Sequence, residues 1–143
     1  MSDKYFLDSN ILVYAHDRSA GEKQALAQRL IEHLWQSGEG VLSTQVLQEV
    51  CVSLRRKVSH PLATDEIRRL IQDYLSWEII INDARSVVGA LEIEERYKIS
   101  FWDGLILHAA ETAGAAVLYS EDFASGQRYG SIRAVNPFED KQR

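Results

Sequence analysis

Five short apolar runs that do not alternate with polar residues constrain this chain more than any other feature. They are Tyr5-Phe6-Leu7, Val41-Leu42, Ile79-Ile80-Ile81, Ala115-Ala116-Val117-Leu118-Tyr119 and Ile132 to Val135. A strand with one face in water alternates, whereas a strand covered on both faces does not. Helical patterns fill the intervals. Ile67, Leu70, Ile71, Tyr74 and Leu75 recur at i, i+3, i+4, i+7 and i+8, with Thr64 as the expected N-cap and Asp65 and Glu66 at the positive helix end. Val46, Leu47, Val50, Cys51 and Leu54 mark a second helix, opening near Ser43-Thr44. A third spans Trp102 to Ala113, stopped by Gly114, and residues 21–36 and 83–97 read as two more. Strands alternating with helices predict a layered α/β domain, with its ligand site beyond the carboxyl ends of the strands.

With only 8 Gly and 2 Pro there is no linker, and no repeat is visible, so residues 1–143 read as one domain. No apolar run approaches membrane-spanning length, and Met1-Ser2-Asp3-Lys4 lacks the apolar core of an export signal. Cys51 is the lone cysteine, which excludes an internal disulfide and a multi-thiolate metal site. A cytoplasmic location is expected. The net charge of −5 argues against a binder that relies on excess Lys and Arg at phosphates. That veto is weak, because bound divalent cations would reverse the local field wherever the acids gather.

Four acids lie at strand–helix junctions. Asp8 follows the first strand, Glu49 sits early in the helix after the second, Asp103 lies in a first helical turn, and Asp122 follows the Ala115–Tyr119 run. Each has a bland explanation: Asp8 as an N-cap, Asp103 as the third residue of a capping pair with Ser100, Glu49 as a flank of the apolar stripe, Asp122 in an Asx turn. Taken together the bland reading weakens, because Asp8 and Asp103 stand in strongly apolar surroundings, where unpartnered carboxylates are costly and several repel one another. Clustered carboxylates call for a hard cation such as Mg²⁺ or Mn²⁺, and the chemistry they imply is metal-assisted phosphodiester hydrolysis.

The stretches carrying these acids resemble a known family. Phe6-Leu7-Asp8-Ser9-Asn10-Ile11-Leu12-Val13-Tyr14-Ala15 is similar to the opening motif of PIN-domain proteins, and Phe101-Trp102-Asp103-Gly104-Leu105-Ile106-Leu107-His108-Ala109-Ala110 to their third acidic motif. Leu118 to Phe138, with Ser120-Glu121-Asp122, Gly126-Gln127-Arg128-Tyr129-Gly130 and Asn136-Pro137-Phe138, resembles the ending of VapC-type toxins. The resemblance covers essentially the whole chain. It implies a three-layer α/β/α domain with a mainly parallel central sheet of about five short strands, a homodimer, and Mg²⁺- or Mn²⁺-dependent endoribonuclease activity on RNA. It also implies a cognate small antitoxin, through which any DNA would be contacted. Carried over by position, Asp8, Glu49, Asp103 and Asp122 become the catalytic, metal-binding quartet, with Ser9, Asn10 and Ser120 as polar support. Asp8 and Asp103 would be the principal ligands. The Ser-x-Asp spacing favours Asp122 over Glu121. Gly104 stands where Ala is usual, and is expected to loosen its helix; Ser120 replaces the common Thr.

Competing readings stay open. Arg55 and His60 match the spacing of metal-independent ribonucleases of the HEPN type, although that family is all-helical; the run Arg55-Arg56-Lys57 otherwise reads as a solvated helix end that could double as an RNA-backbone patch. An aspartate-nucleophile phosphatase of the haloacid-dehalogenase type would want a second Asp where Asn10 stands. A non-catalytic PIN-like RNA- or protein-binding module is a further alternative. His108 is read as a satisfied core or interface histidine, Trp35, Trp77 and Trp102 as packing anchors, and Arg128 and Arg133 as phosphate contacts or surface ion-pair partners. The dimer seam is expected on the 44–59 or 64–77 helix.

Overall fold

The computed structural model describes residues 3–139. In chain order these form β1 (Tyr5–Leu7), α1 (Ser9–His16), α2 (Glu22–Ser37), β2 (Gly40–Ser43), α3 (Thr44–Arg56), α4 (Thr64–Tyr74), β3 (Glu78–Ile80), α5 (Ala84–Tyr97), α6 (Phe101–Ala113), β4 (Val117–Tyr119), β5 (Arg128–Tyr129) and β6 (Ile132–Val135). The strands make one sheet in the order β3-β2-β1-β4-β6-β5. All neighbours are parallel except β5, which runs antiparallel to β6. Every residue of β2 is buried. Successive strand side chains point to opposite faces, so full burial means that both faces are covered, as the missing alternation demands.

All five expected strands form, with Ala115, Ala116 and Ile81 left outside them. The sixth, β5, is two residues long and carries no readable period; it exists because Gly130, at φ +65°, turns the chain back so that Tyr129 pairs with Ile132. The helix expected to start at Thr64 is instead capped by Ala63, whose N–H donates to Glu66 Oε1 at 2.9 Å. A side chain three residues into the helix thus satisfies the N–H of the cap residue itself, the returning half of a capping box, while Ala63 has no side-chain acceptor to offer the first turn. Ser43, Asp83 and Ser100 cap α3, α5 and α6 through their own side chains.

Gly104 has a reason other than helix looseness. A Cβ there would lie 2.7 Å from the Ala90 carbonyl oxygen, so the missing side chain lets α6 press against the α5 backbone. The aromatic residues also divide. Trp35 and Trp77 pack with Tyr74, at ring-centroid separations of 4.9 and 5.5 Å from it. Trp102 is not an anchor: it is 62% exposed and touches only the edge of Phe101 among the aromatic rings described. His108 is half-buried with its ring where a Gly89 side chain would be, but its buried Nδ1 has no hydrogen-bond partner among the described residues, so it is packed without being satisfied. No helix among the described residues is long and apolar enough to cross a membrane.

Candidate active site

The site is built where β1 and β4, the two central strands, give way to helix and loop. Asp8 continues the sheet by one residue, its N–H donating to the Tyr119 carbonyl at 3.0 Å. Its side chain then caps α1, with Oδ1 accepting the Ser9 N–H at 2.8 Å. The capping reading of Asp8 therefore holds, and it does not exhaust the residue. Oδ2 accepts the Ser120 hydroxyl at 2.7 Å, and the whole side chain is only 3% exposed.

Ser120 follows β4 and links Asp8 to the last acidic motif. While donating to Asp8, its Oγ accepts the Asp122 N–H at 3.0 Å. Asn10 completes the corner: its Nδ2 donates to Asp122 Oδ2 at 3.1 Å and its Oδ1 accepts the Glu121 N–H at 3.3 Å. On the other side of Asp8, the Ser9 hydroxyl donates to Glu49 Oε1 at 2.9 Å, and Glu49 Oε2 accepts Gln45 Nε2 at 3.1 Å. A continuous chain of side-chain and backbone contacts thus joins Asp122, Asp8 and Glu49, with Ser120, Asn10 and Ser9 as the polar joints.

Asp103 is half-buried in the first turn of α6, where its N–H donates to Ser100 Oγ at 3.0 Å. It shares no direct hydrogen bond with the other three acids among the contacts described, but it shares their field. Burial raises its pKa, and the charges of Asp122 and Glu49 raise it further, against the Ser100 hydroxyl. Asp8 is displaced more, from 3.8 to about 7, chiefly because burial strips its carboxyl of water. The Ser120 and Ser9 hydrogen bonds pull it down, while Asp122 and Glu49 push it up.

Glu121 and Asp122 point to different tasks. Glu121 is held by the Lys23 ammonium and by the Tyr14 hydroxyl, which donates to Oε1 at 2.6 Å. Burial opposes the Glu121 charge, but these two hydrogen bonds outweigh it and lower the carboxyl's pKa. Asp122 is exposed, hydrogen-bonded to Asn10, and lines a cleft of about 410 Å³ together with Ser9, Gln48, Glu49, Val52, Ser53 and Lys57.

Gln45 is the residue that sequence reasoning passed over. It is 5% exposed, and its Nε2 faces two acceptors, Glu49 Oε2 and the Trp102 carbonyl at 3.3 Å. That fixes the amide orientation and leaves the buried Oε1 without a donor among the described residues. The readable signal was its i, i+4 spacing to Glu49 on α3. Among the described residues no group of three or more His, Cys, Asp or Glu side chains forms a ready-made ion cage. The donor set nevertheless suits a hard cation that keeps most of its water: Mg²⁺ takes one or two carboxylates and several water molecules. Mutually repelling carboxylates and an orphan acceptor beside Glu49 match such a hydrated ion.

Arg55 lies away from these acids, in a groove with Cys51, Thr64 and Ile67 between α3 and α4, and His60 is exposed. Arg128 and Arg133 stand opposite each other, exposed, on the β5–β6 pair.

A mostly parallel sheet with acids at the carboxyl ends of its central strands defines a doubly wound α/β protein with an acidic edge site. The PIN domain family model matches residues 5–125, and the chain belongs to that family. No curated protein sequence matches it significantly. Among solved structures, the chain is similar to VapC20 of Mycobacterium tuberculosis, described as a sarcin-ricin loop cleaving toxin, with a TM-score of 0.64 and 20% identity over 83% of this chain and 90% of that one. A toxin–antitoxin complex from Klebsiella pneumoniae superposes with a TM-score of 0.70 and 18% identity, covering 95% of this chain and 99% of the other. A DNA-bound VapBC from Salmonella typhimurium gives 0.65 and 16%, over 93% and 97%.

Proposed function

We propose that the protein is a divalent-metal-dependent endoribonuclease and the toxin of a toxin–antitoxin pair. The observation that carries this reading is Asp8: a carboxyl deprived of water, short of neutralising partners, and hydrogen-bonded through Ser9 and Ser120 into a set of further acids. A group in that state destabilises the fold when charged, and a cation is what would relieve it. The similarity to toxin and toxin–antitoxin structures supports the same assignment and an antitoxin partner. Operon DNA would be reached through that antitoxin. Homodimerisation and a cytoplasmic location complete the proposal.

In this reading Asp8 and Asp103 are the principal holders of Mg²⁺ or Mn²⁺, with Glu49 and Asp122 orienting its water and the substrate. The ion would supply electrostatic neutralisation of the phosphoryl group and a more acidic water at neutral pH. The protein's own contribution is arrangement. Ser120 and the Ser9 N–H fix both oxygens of Asp8, Ser9 and Gln45 fix both oxygens of Glu49, and Asn10 holds Asp122.

The test is RNA cleavage in Mg²⁺, in Mn²⁺ and in EDTA, with Asp8→Asn and Asp103→Asn alongside. Expected are cleavage only with metal, loss in both variants while they remain folded, and ends carrying 5′-phosphate and 3′-hydroxyl. Cleavage that persists in EDTA and leaves cyclic phosphates would transfer the chemistry to Arg55 and His60. A folded protein that binds RNA and never cleaves it would be a binding module.

A further inference from the structure

Beyond Glu49, the cleft carries side chains for which hydrolysis alone has no use. Glu49, Ser53 and Lys57 stand at i, i+4 and i+8 of α3 and its C-cap, a single row along the helix, with Gln48 and Val52 beside it. All five line the cleft. The row extends roughly 12 Å from Glu49 to Lys57 at the helical rise. Its chemistry changes along that length: the carboxylates Glu49 and Asp122 with the Gln48 amide, then Val52, 48% exposed, and the Ser53 hydroxyl, then an ammonium.

Among the described residues, Lys57 is the single cation lining this cleft. Its ammonium makes no hydrogen bond or ion pair among the described residues, whereas Lys4 pairs with Glu78 and Lys23 with Glu121. The basic run is therefore divided by the helix: Arg55 lines the α3–α4 groove, Arg56 lines neither cavity, and Lys57 lines the far end of the cleft that holds Glu49 and Asp122. An acidic end that suits a metal-neutralised phosphate, a middle of Val52 and the Ser53 hydroxyl, and a cationic far end repeat the order of phosphate, nucleoside and next phosphate. A volume of about 410 Å³ falls within the range of small-ligand sites.

We propose that this cleft is a subsite for a nucleotide flanking the scissile phosphate of single-stranded RNA, with Lys57 engaging the adjoining phosphate and Val52 and Ser53 meeting the nucleoside between. The proposal rests on the nuclease reading above. Unstacked bases of single-stranded RNA offer their edges and faces to such groups, and each neutralised phosphate adds about 0.7 to the slope of log affinity against log salt.

The experiment is fluorescence anisotropy of a labelled oligouridylate over a salt series, in calcium chloride, a hard cation that takes the same oxygen ligands. Lys57→Gln is expected to lower the slope by about 0.7 and weaken binding several-fold at low salt. Lys57→Arg should restore the slope, and Arg56→Gln should leave it at the wild-type value. In Mg²⁺ cleavage assays, Lys57→Gln should raise KM and spare kcat. An unchanged slope in Lys57→Gln, or an equal loss in Arg56→Gln, would overturn the subsite while leaving the nuclease assignment standing if the wild type still cleaves. A wild type that neither binds nor cleaves RNA would remove both.

Discussion

Replacing Asp8 by Asn should make the protein more stable while abolishing its chemistry. Asp8 is 3% exposed, and its pKa rises from 3.8 to about 7 mainly through burial. A raised pKa means that the folded state holds the proton more tightly than the unfolded chain, so stability falls as pH climbs between those two values. At 1.36 kcal/mol per unit, the ionised carboxyl costs the fold about 2 kcal/mol near pH 5 and about 4 kcal/mol near pH 8. Asn keeps the shape and the acceptor for the Ser9 N–H. Its amide meets the Ser120 hydroxyl, whose proton must turn elsewhere, at a cost of about 1 kcal/mol. The variant should therefore exceed the wild type by about 3 kcal/mol near pH 8 in EDTA, and by about 2 kcal/mol less near pH 5. Urea denaturation at the two pH values measures both quantities. If the variant and wild type fall in parallel between them, or the variant is weaker near pH 8, the uncompensated-charge argument is refuted.

Other expectations follow from the same contacts. Ser120→Ala removes a hydrogen bond from a carboxylate and should cost about 2 kcal/mol near pH 8, less near pH 5 where Asp8 is protonated; the same denaturation series reads it. Mg²⁺ should raise the wild-type melting temperature near pH 8 and leave Asp8→Asn unmoved, as scanning calorimetry would record; an equal rise in both would separate ion binding from this carboxyl. Gly104→Ala, favourable in a bare helix by about 1 kcal/mol, should destabilise by about 1–2 kcal/mol, because its Cβ meets a backbone oxygen that cannot swing aside. A gain in stability there would show that α5 and α6 separate easily.

How much could be read in advance depended on how local each cause was. Strands β1, β2 and β4 were legible because burial on both faces erases alternation, β3 and β6 because their apolar residues cluster although Glu78 and Arg133 are exposed, and helix limits because Ser43, Asp83, Ser100 and Gly114 meet the backbone within a few residues. Ala63 broke that rule, since its cap comes from Glu66 rather than from its own side chain. Two-residue β5 had no period to read. The acids of the candidate site were visible as junction residues, but nothing local distinguishes an aspartate that only caps a helix from one that also lies beneath a serine 112 positions away.

By itself, the chain of residues determined the helices and every strand but β5, and which acids end up at their junctions. Periodicity and capping act over one or two turns, so each segment carries its own instructions. Packing decided the rest: the order β3-β2-β1-β4-β6-β5, the burial that deprives Asp8 of water, the tie of Glu121 to Lys23 and Tyr14, and the placing of Lys57 but not Arg55 in the cleft that holds the acids. Solvent exclusion and charge proximity are properties of residues brought together from distant parts of the chain, and they come into being only when the helices close over the sheet.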